Sequence, residues 1–137
     1  MTRHIIAPDW IVKGYEFPAD VQVTQSVDLG ELDQELMATA DFVVLPYDGS
    51  SISVSETILR LPNVKVLQTL TAGFDNVQPF VPAGVTLCNA AGVHDDATSE
   101  LAVLLALSAL RDMPRSFRAQ QHQLWETYFA RSLADKH

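Results

Sequence analysis

Val64-Lys-Val-Leu-Gln-Thr-Leu70, Thr71-Ala-Gly-Phe-Asp-Asn76, Val85-Thr-Leu-Cys88, Asn89-Ala-Ala-Gly-Val-His-Asp-Asp96 and Thr98-Ser-Glu-Leu-Ala-Val-Leu-Leu-Ala-Leu-Ser-Ala-Leu-Arg111 occur in that order in one stretch of the chain. The first segment is apolar and partly β-branched, as a buried strand is. The second is a glycine loop, the third a short strand, the fourth a polar turn and the last an almost wholly apolar helix. A strand, loop, strand, loop, helix succession sets two ligand-competent loops side by side at one edge of a parallel sheet.

Upstream, short apolar runs recur at Ile5-Ile6-Ala7, Val21-Gln-Val23 and Phe42-Val-Val-Leu45. Several are continuous, not alternating, which suits strands covered by helices on both faces. Helical patterns fall between them at Leu29 to Ala40, with Leu32, Leu36 and Met37 on one face, and at Ser53 to Leu61. Asp28 is an N-cap candidate for the first, and Ser53 or Ser55 for the second. Between Asp9 and Asp20, residues Trp10, Ile11, Val12 and Tyr15 permit a short helix that Gly14 and Pro18 interrupt. The alternation predicts an α/β fold, a doubly wound parallel sheet of about five strands followed by a long apolar helix.

A chain of 137 residues with 47% hydrophobic and 19% charged residues is globular in composition. Its net charge of -8 and pI near 4.7 arise without any basic run, which argues against nucleic acid or an anionic membrane surface as partner. The single cysteine, Cys88, has no partner for an internal bridge and is expected to be a small buried hydrophobe in a reducing, cytoplasmic setting. The N-terminus lacks the pattern of a signal peptide. Leu101 to Leu107 is the longest apolar run and is far short of the roughly 20 residues needed to span a bilayer.

From Leu101 to Leu110 only Ser108 is polar, so the last helix has no face suited to water. Asp95 and Asp96 are expected to cap its start, and Arg111 suits its end. One face is expected to cover the sheet; the other calls for a second subunit or a further domain.

Ligands of open parallel sheets sit at the carboxyl ends of the strands. The loops there are Pro8 onward, Pro46 to Ser51, Thr71 to Asn76 and Asn89 to Asp96. Free N–H groups at Ala72 and Gly73, ahead of a short helix capped by Asp75, would seat a carboxylate or phosphate, Gly73 permitting close approach. Alternatively, Gly73 only makes a turn. His94 stands in the next loop, either beside that seat or simply solvated. His4, His94, His122 and His137 show no metal-ligand spacing, and no GxSxG, GxGxxG or GxxxxGK[ST] motif occurs. Neither a metal site nor a hydrolase triad is expected.

Thr71-Ala-Gly-Phe-Asp-Asn-Val77, Pro82-Ala-Gly-Val-Thr-Leu-Cys-Asn89, Asp96-Ala-Thr-Ser-Glu-Leu-Ala102, Arg111-Asp-Met-Pro114 and Trp125 together resemble the D-isomer-specific 2-hydroxyacid dehydrogenases. The resemblance implies a flavodoxin-like substrate-binding domain over residues 1–95. Residues 96–137 would then form interdomain and dimerisation helices, the long one crossing toward a separate Rossmann domain and joining a homodimer through residues 98–111. It implies that the Ala72 and Gly73 amides bind a substrate carboxylate, that Tyr47 and Asp48 close one side of the cleft, that His94 lies near substrate and nicotinamide, and that Thr98 contacts the cofactor.

The substrate so implied is a small 2-hydroxy or 2-keto acid, and the cofactor of the full enzyme is NAD or NADP. The dinucleotide motif, and the arginine, glutamate and histidine that handle carboxylate and proton, come after Ser132-Leu-Ala-Asp-Lys-His137 in that family. No catalytic residue is therefore expected among these 137, nor tight cofactor binding or turnover by them alone. Two other readings stand beside this one. A stand-alone dimeric binding module would use the apolar helix as interface, and a receiver-like signalling domain would use Asp48 as phosphoacceptor near Thr71-Ala72.

Overall fold

The computed structural model describes residues 2–47 and 51–134. They divide into two compact units, Met1–Val93 and His94–His137.

The first unit is built on β1 (Arg3–Ala7), β2 (Val21–Gln25), β3 (Phe42–Val44), β4 (Val66–Gln68) and β5 (Thr86–Cys88), all parallel, in the order β2-β1-β3-β4-β5. This is the flavodoxin-like doubly wound order, so the predicted fold class holds. The period of two along each strand sorts side chains between the faces. Ile6, Val43 and Leu67 enter the main core with Leu29, Met37 and Ile58, whereas Ala7 and Val44 face the other way with Val12.

The connections are shorter than their sequence patterns suggest. The single helix expected from Leu29 to Ala40 is a 3₁₀ turn, Leu29–Glu31, followed by α2 (Gln34–Ala38). Asp28 caps the turn, its carboxylate accepting from the Gly30 N–H at 2.8 Å. Helix α3 (Val54–Leu59) starts at Ser53, which accepts from the Glu56 N–H at 3.2 Å while Glu56 accepts from the Ser53 N–H at 2.8 Å. That reciprocal capping box chooses Ser53 over Ser55 as the cap. Helix α1 (Asp9–Val12) is a single turn, closed off before Gly14 at φ 83°. Within this unit, α2, α3 and the 3₁₀ turns supply the main core on one face, and the other face has only the α1 turn. Ile5, Phe42 and Leu70 are consequently only partly buried. Cys88, expected to be buried, is only partly so because β5 is an edge strand.

His4 lies buried in β1, between Thr39 and Thr24 at 2.8 Å from each. The Thr39 hydroxyl donates to the Leu36 carbonyl at 2.7 Å, so it accepts from Nδ1–H, leaving Nε2 to accept from Thr24. This arrangement holds the neutral ring. Burial lowers the pKa of His4 from its usual 6.5, opposed by the charge of Asp41 and hydrogen bonding at Thr39. As pH falls through about 6.5 the unfolded chain takes up this proton first, so stability present above that pH is lost toward the lower folded-state value. The denaturant midpoint is expected to fall between pH 7.5 and 5.5, and His4→Asn should flatten that slope; an equal slope in the variant would refute the assignment.

In the second unit α4 (Asp95–Leu110) turns at Asp112, whose φ of 48° is left-handed, into α5 (Met113–Gln121). The expectation that Asp95 and Asp96 cap α4 is corrected. His94 holds the N-cap position without a side-chain bond, and both acids lie inside the first turn, where they act on the macrodipole. None of the residues of α4 is buried. No helix among the described residues is long and apolar enough to cross a membrane.

After α5 the chain runs back, with the Leu124 N–H bonded to the Ala119 carbonyl and the Arg131 N–H to that of Leu110. The Tyr128 hydroxyl lies 2.6 Å from Ser116 Oγ, 3.0 Å from the Arg111 carbonyl and 3.2 Å from that of Asp112, and Arg115 stacks over its ring. Tyr128→Phe is expected to lower the stability of this unit by about 1 kcal/mol, the net worth of one hydrogen bond, in urea unfolding followed by circular dichroism.

Candidate functional site

The loop after β4 is held by its oxygens. Thr71 O accepts from Thr69 Oγ1 at 2.9 Å and from the Ala90 N–H at 3.0 Å. Ala72 O accepts from Asn89 Nδ2 at 2.8 Å, and Gly73 O from Thr71 Oγ1 at 2.6 Å. Three successive carbonyls are thus engaged within the protein. The N–H groups of Ala72 and Gly73 have no partner among the described residues, and both residues are exposed. A loop whose acceptors are used internally and whose donors are free is suited to an anion.

Gly73 does not adopt a left-handed conformation, and a Cβ built on it would meet nothing within 4 Å. Neither backbone strain nor internal packing therefore requires glycine at this position. Asp75 caps no helix: the chain makes a turn closed by Val77 and Gln78 N–H bonds to the Phe74 carbonyl, then a 3₁₀ turn, Gln78–Phe80. The anion seat expected from the sequence rests on main-chain donors without help from a helix terminus.

Tyr47 follows β3, the neighbour of β4, at the same rim of the sheet and is 58% exposed. Asp48 lies outside the described residues. The far end of that loop is tied down by Asp28, the residue that also caps the 3₁₀ turn after β2. The Asp28 carboxylate accepts from Ser51 N–H at 3.0 and 3.1 Å and from Ser51 Oγ at 3.1 Å, linking the loops after β2 and β3. Asn89, which fixes the Ala72 carbonyl, was legible only as a turn residue; a carboxamide directly after a strand was the available signal. His94 and Thr98 belong to the second unit, one helical turn apart, the His94 carbonyl accepting the Thr98 N–H at 2.9 Å. Both are exposed. No cluster of three metal-ligating side chains occurs among the described residues.

No protein-family model matches the chain, and no curated protein does. Solved structures do. A D-isomer specific 2-hydroxyacid dehydrogenase family protein from Aeromonas salmonicida superposes with a TM-score of 0.74 at 16% identity, over 97% of this chain and 44% of that one. The chain shares that protein's fold. A D-isomer specific 2-hydroxyacid dehydrogenase from Xanthobacter autotrophicus, in complex with NADPH and MES, gives 0.64 at 19% identity, over 98% of this chain and 44% of its own. A probable 2-hydroxyacid dehydrogenase from Rhizobium etli, with NADP, HEPES and L(+)-tartaric acid, gives 0.66 at 17%, over 98% and 43%. The chain spans less than half the length of these structures. At such identities the likeness is one of fold, and function has to be argued from the site.

Proposed function

We propose that this chain is the substrate-binding portion of an NAD(P)-dependent oxidoreductase of the D-2-hydroxyacid dehydrogenase family, seating the carboxylate of a small 2-keto or 2-hydroxy acid on the Ala72 and Gly73 amides. The observation that carries the reading is the pair of N–H groups, at Ala72 and Gly73, that have no partner among the described residues in a loop whose Thr71, Ala72 and Gly73 carbonyls are engaged. It is supported by the shared fold and by the placement of the loop at the carboxyl rim of a parallel sheet.

In this reading the main-chain amides orient the carboxylate without a proton of their own to exchange, and Tyr47 bounds the cleft. His94 lies near the substrate and Thr98 contacts the cofactor. The 137 residues contain no glycine-rich cradle for a pyrophosphate, so they do not by themselves fit a dinucleotide. Hydride and proton transfer then depend on residues outside this sequence, and α4 joins two copies through residues 98–111.

The direct test is ligand binding by residues 1–137. A 2-keto acid is expected to move the amide resonances of Ala72 and Gly73, and NADH is expected to remain unoxidised when glyoxylate or hydroxypyruvate is added. Absence of any shift at those two amides under saturating keto acid would remove the seat. Reproducible turnover would show that the chemistry is complete without further residues.

A further inference from the structure

Next to the proposed seat the first unit carries a slot of 390 Å³ lined by Phe74, Gln78, Val81, Leu87 and Asn89. Phe74 directly follows Gly73, and Asn89 donates to the Ala72 carbonyl at 2.8 Å, so slot and seat share a wall. Phe74, Val81 and Leu87 supply the apolar half of the slot's lining, Val81 and Leu87 being packed against the main core. Its polar groups are the two uncharged carboxamides of Gln78 and Asn89. A small volume with apolar walls and a few neutral polar groups is how small-molecule subsites are made.

The charges of the unit are distributed unevenly between the two ends of the sheet. Residues 1–93 contain Arg3, Lys13, Arg60 and Lys65 as their lysines and arginines. Arg3 opens β1 and Lys65 immediately precedes β4, Arg60 follows the crossover helix α3, and Lys13 follows the α1 turn, which packs on the sheet face opposite the one that Val81 and Leu87 join. Arg3 is paired with Asp20 at 2.7 Å and Lys65 with Asp41 at 2.5 Å, and Arg60 donates to the carbonyls of Leu29, Gly30 and Leu32. Asp9, Asp28 and Asp75, by contrast, follow β1, β2 and β4 at the carboxyl rim. One carboxylate can be held there by main-chain donors. A second negative charge on the same ligand meets no cation of this unit and adds repulsion from the acids.

We infer that the slot receives an uncharged C3 substituent of a 2-keto or 2-hydroxy monocarboxylate, so that the first unit by itself discriminates against phosphorylated and dicarboxylic acids. The inference rests on the carboxylate seat proposed above. Its test is a titration of isotopically labelled residues 1–137 with 4-methyl-2-oxopentanoate and, separately, oxaloacetate. The neutral-side-chain acid is expected to move the amides of Ala72 and Gly73 and the methyls of Val81 and Leu87 with one binding constant, and oxaloacetate to bind at least tenfold more weakly. Amide shifts without methyl shifts would overturn the slot and leave the seat standing. Methyl shifts without amide shifts, or equal affinity for oxaloacetate, would also overturn the inference, and no shift at either amide would remove seat and slot together. Gln78 is exposed, so Gln78→Lys should fold. It is expected to reduce the preference for the neutral acid about tenfold by adding a cation at the slot; an unchanged preference would count against it.

Discussion

A chain carrying Leu101→Glu and Leu105→Glu together is expected to be monomeric at concentrations where the parent chain is a dimer. These two side chains stand four residues apart, on one side of α4, and are 53% and 60% exposed, beside Leu104 at 59%. A leucine left in water forgoes roughly 1.5–3 kcal/mol of burial. Association of two copies through this face covers both leucines of each, so at the low end the substitutions remove about 6 kcal/mol, or about four decades in the dissociation constant. Glutamate is a good helix former, so α4 itself should persist. Sedimentation velocity at tens of micromolar reads the outcome, and circular dichroism verifies the helix. A parent chain that sediments as a monomer there, or a variant that still dimerises, would sink the interface.

Replacing Gly73 by alanine should leave the fold alone and weaken ligand binding at least tenfold, a combination that separates the two meanings of this glycine. In the unbound chain its φ is not left-handed and the space around its missing Cβ is open. The substitution should therefore be neutral or stabilising, by up to about 1 kcal/mol, through the narrower unfolded ensemble. A methyl group at the mouth of the amide seat prevents the close approach a carboxylate needs for short hydrogen bonds, and at least a tenfold loss of 2-keto acid affinity is expected. Thermal denaturation and the amide titration measure the two halves independently. Undiminished binding would return Gly73 to the role of a turn residue; a large loss of stability would show that the loop needs glycine for its own conformation.

Much of the fold was legible because its signals are local. Val43, Val44 and Leu67 sit in runs without alternation, the pattern of a sheet covered by helices, and Ser53 with Glu56 three residues later is a helix start readable from spacing alone. The helix expected from Leu29 to Ala40 failed because its apolar spacing matched a helical face while the Asp28 carboxylate, by binding the Gly30 N–H and Ser51, favoured a tight turn. That competition involves a residue more than twenty positions away, which no window on the sequence contains. Asp75 was misread for a related reason: acid-before-turn is the signature of a cap, but the backbone here closes on the Phe74 carbonyl instead.

The sequence by itself determined the alternation of strands and helices, the long apolar stretch of α4 and the position of a glycine loop after a buried strand, since each depends on periodicity or composition within a few residues. Tertiary structure alone decided that the order of the strands is β2-β1-β3-β4-β5, that Asn89 and Ala90 bond the carbonyls of Ala72 and Thr71 from the loop after β5, and that the amides of Ala72 and Gly73 find no partner among the described residues. Whether a peptide group is free is settled by every neighbour that might have bonded it. Those neighbours are assembled only when separate strands come together at one edge of the sheet.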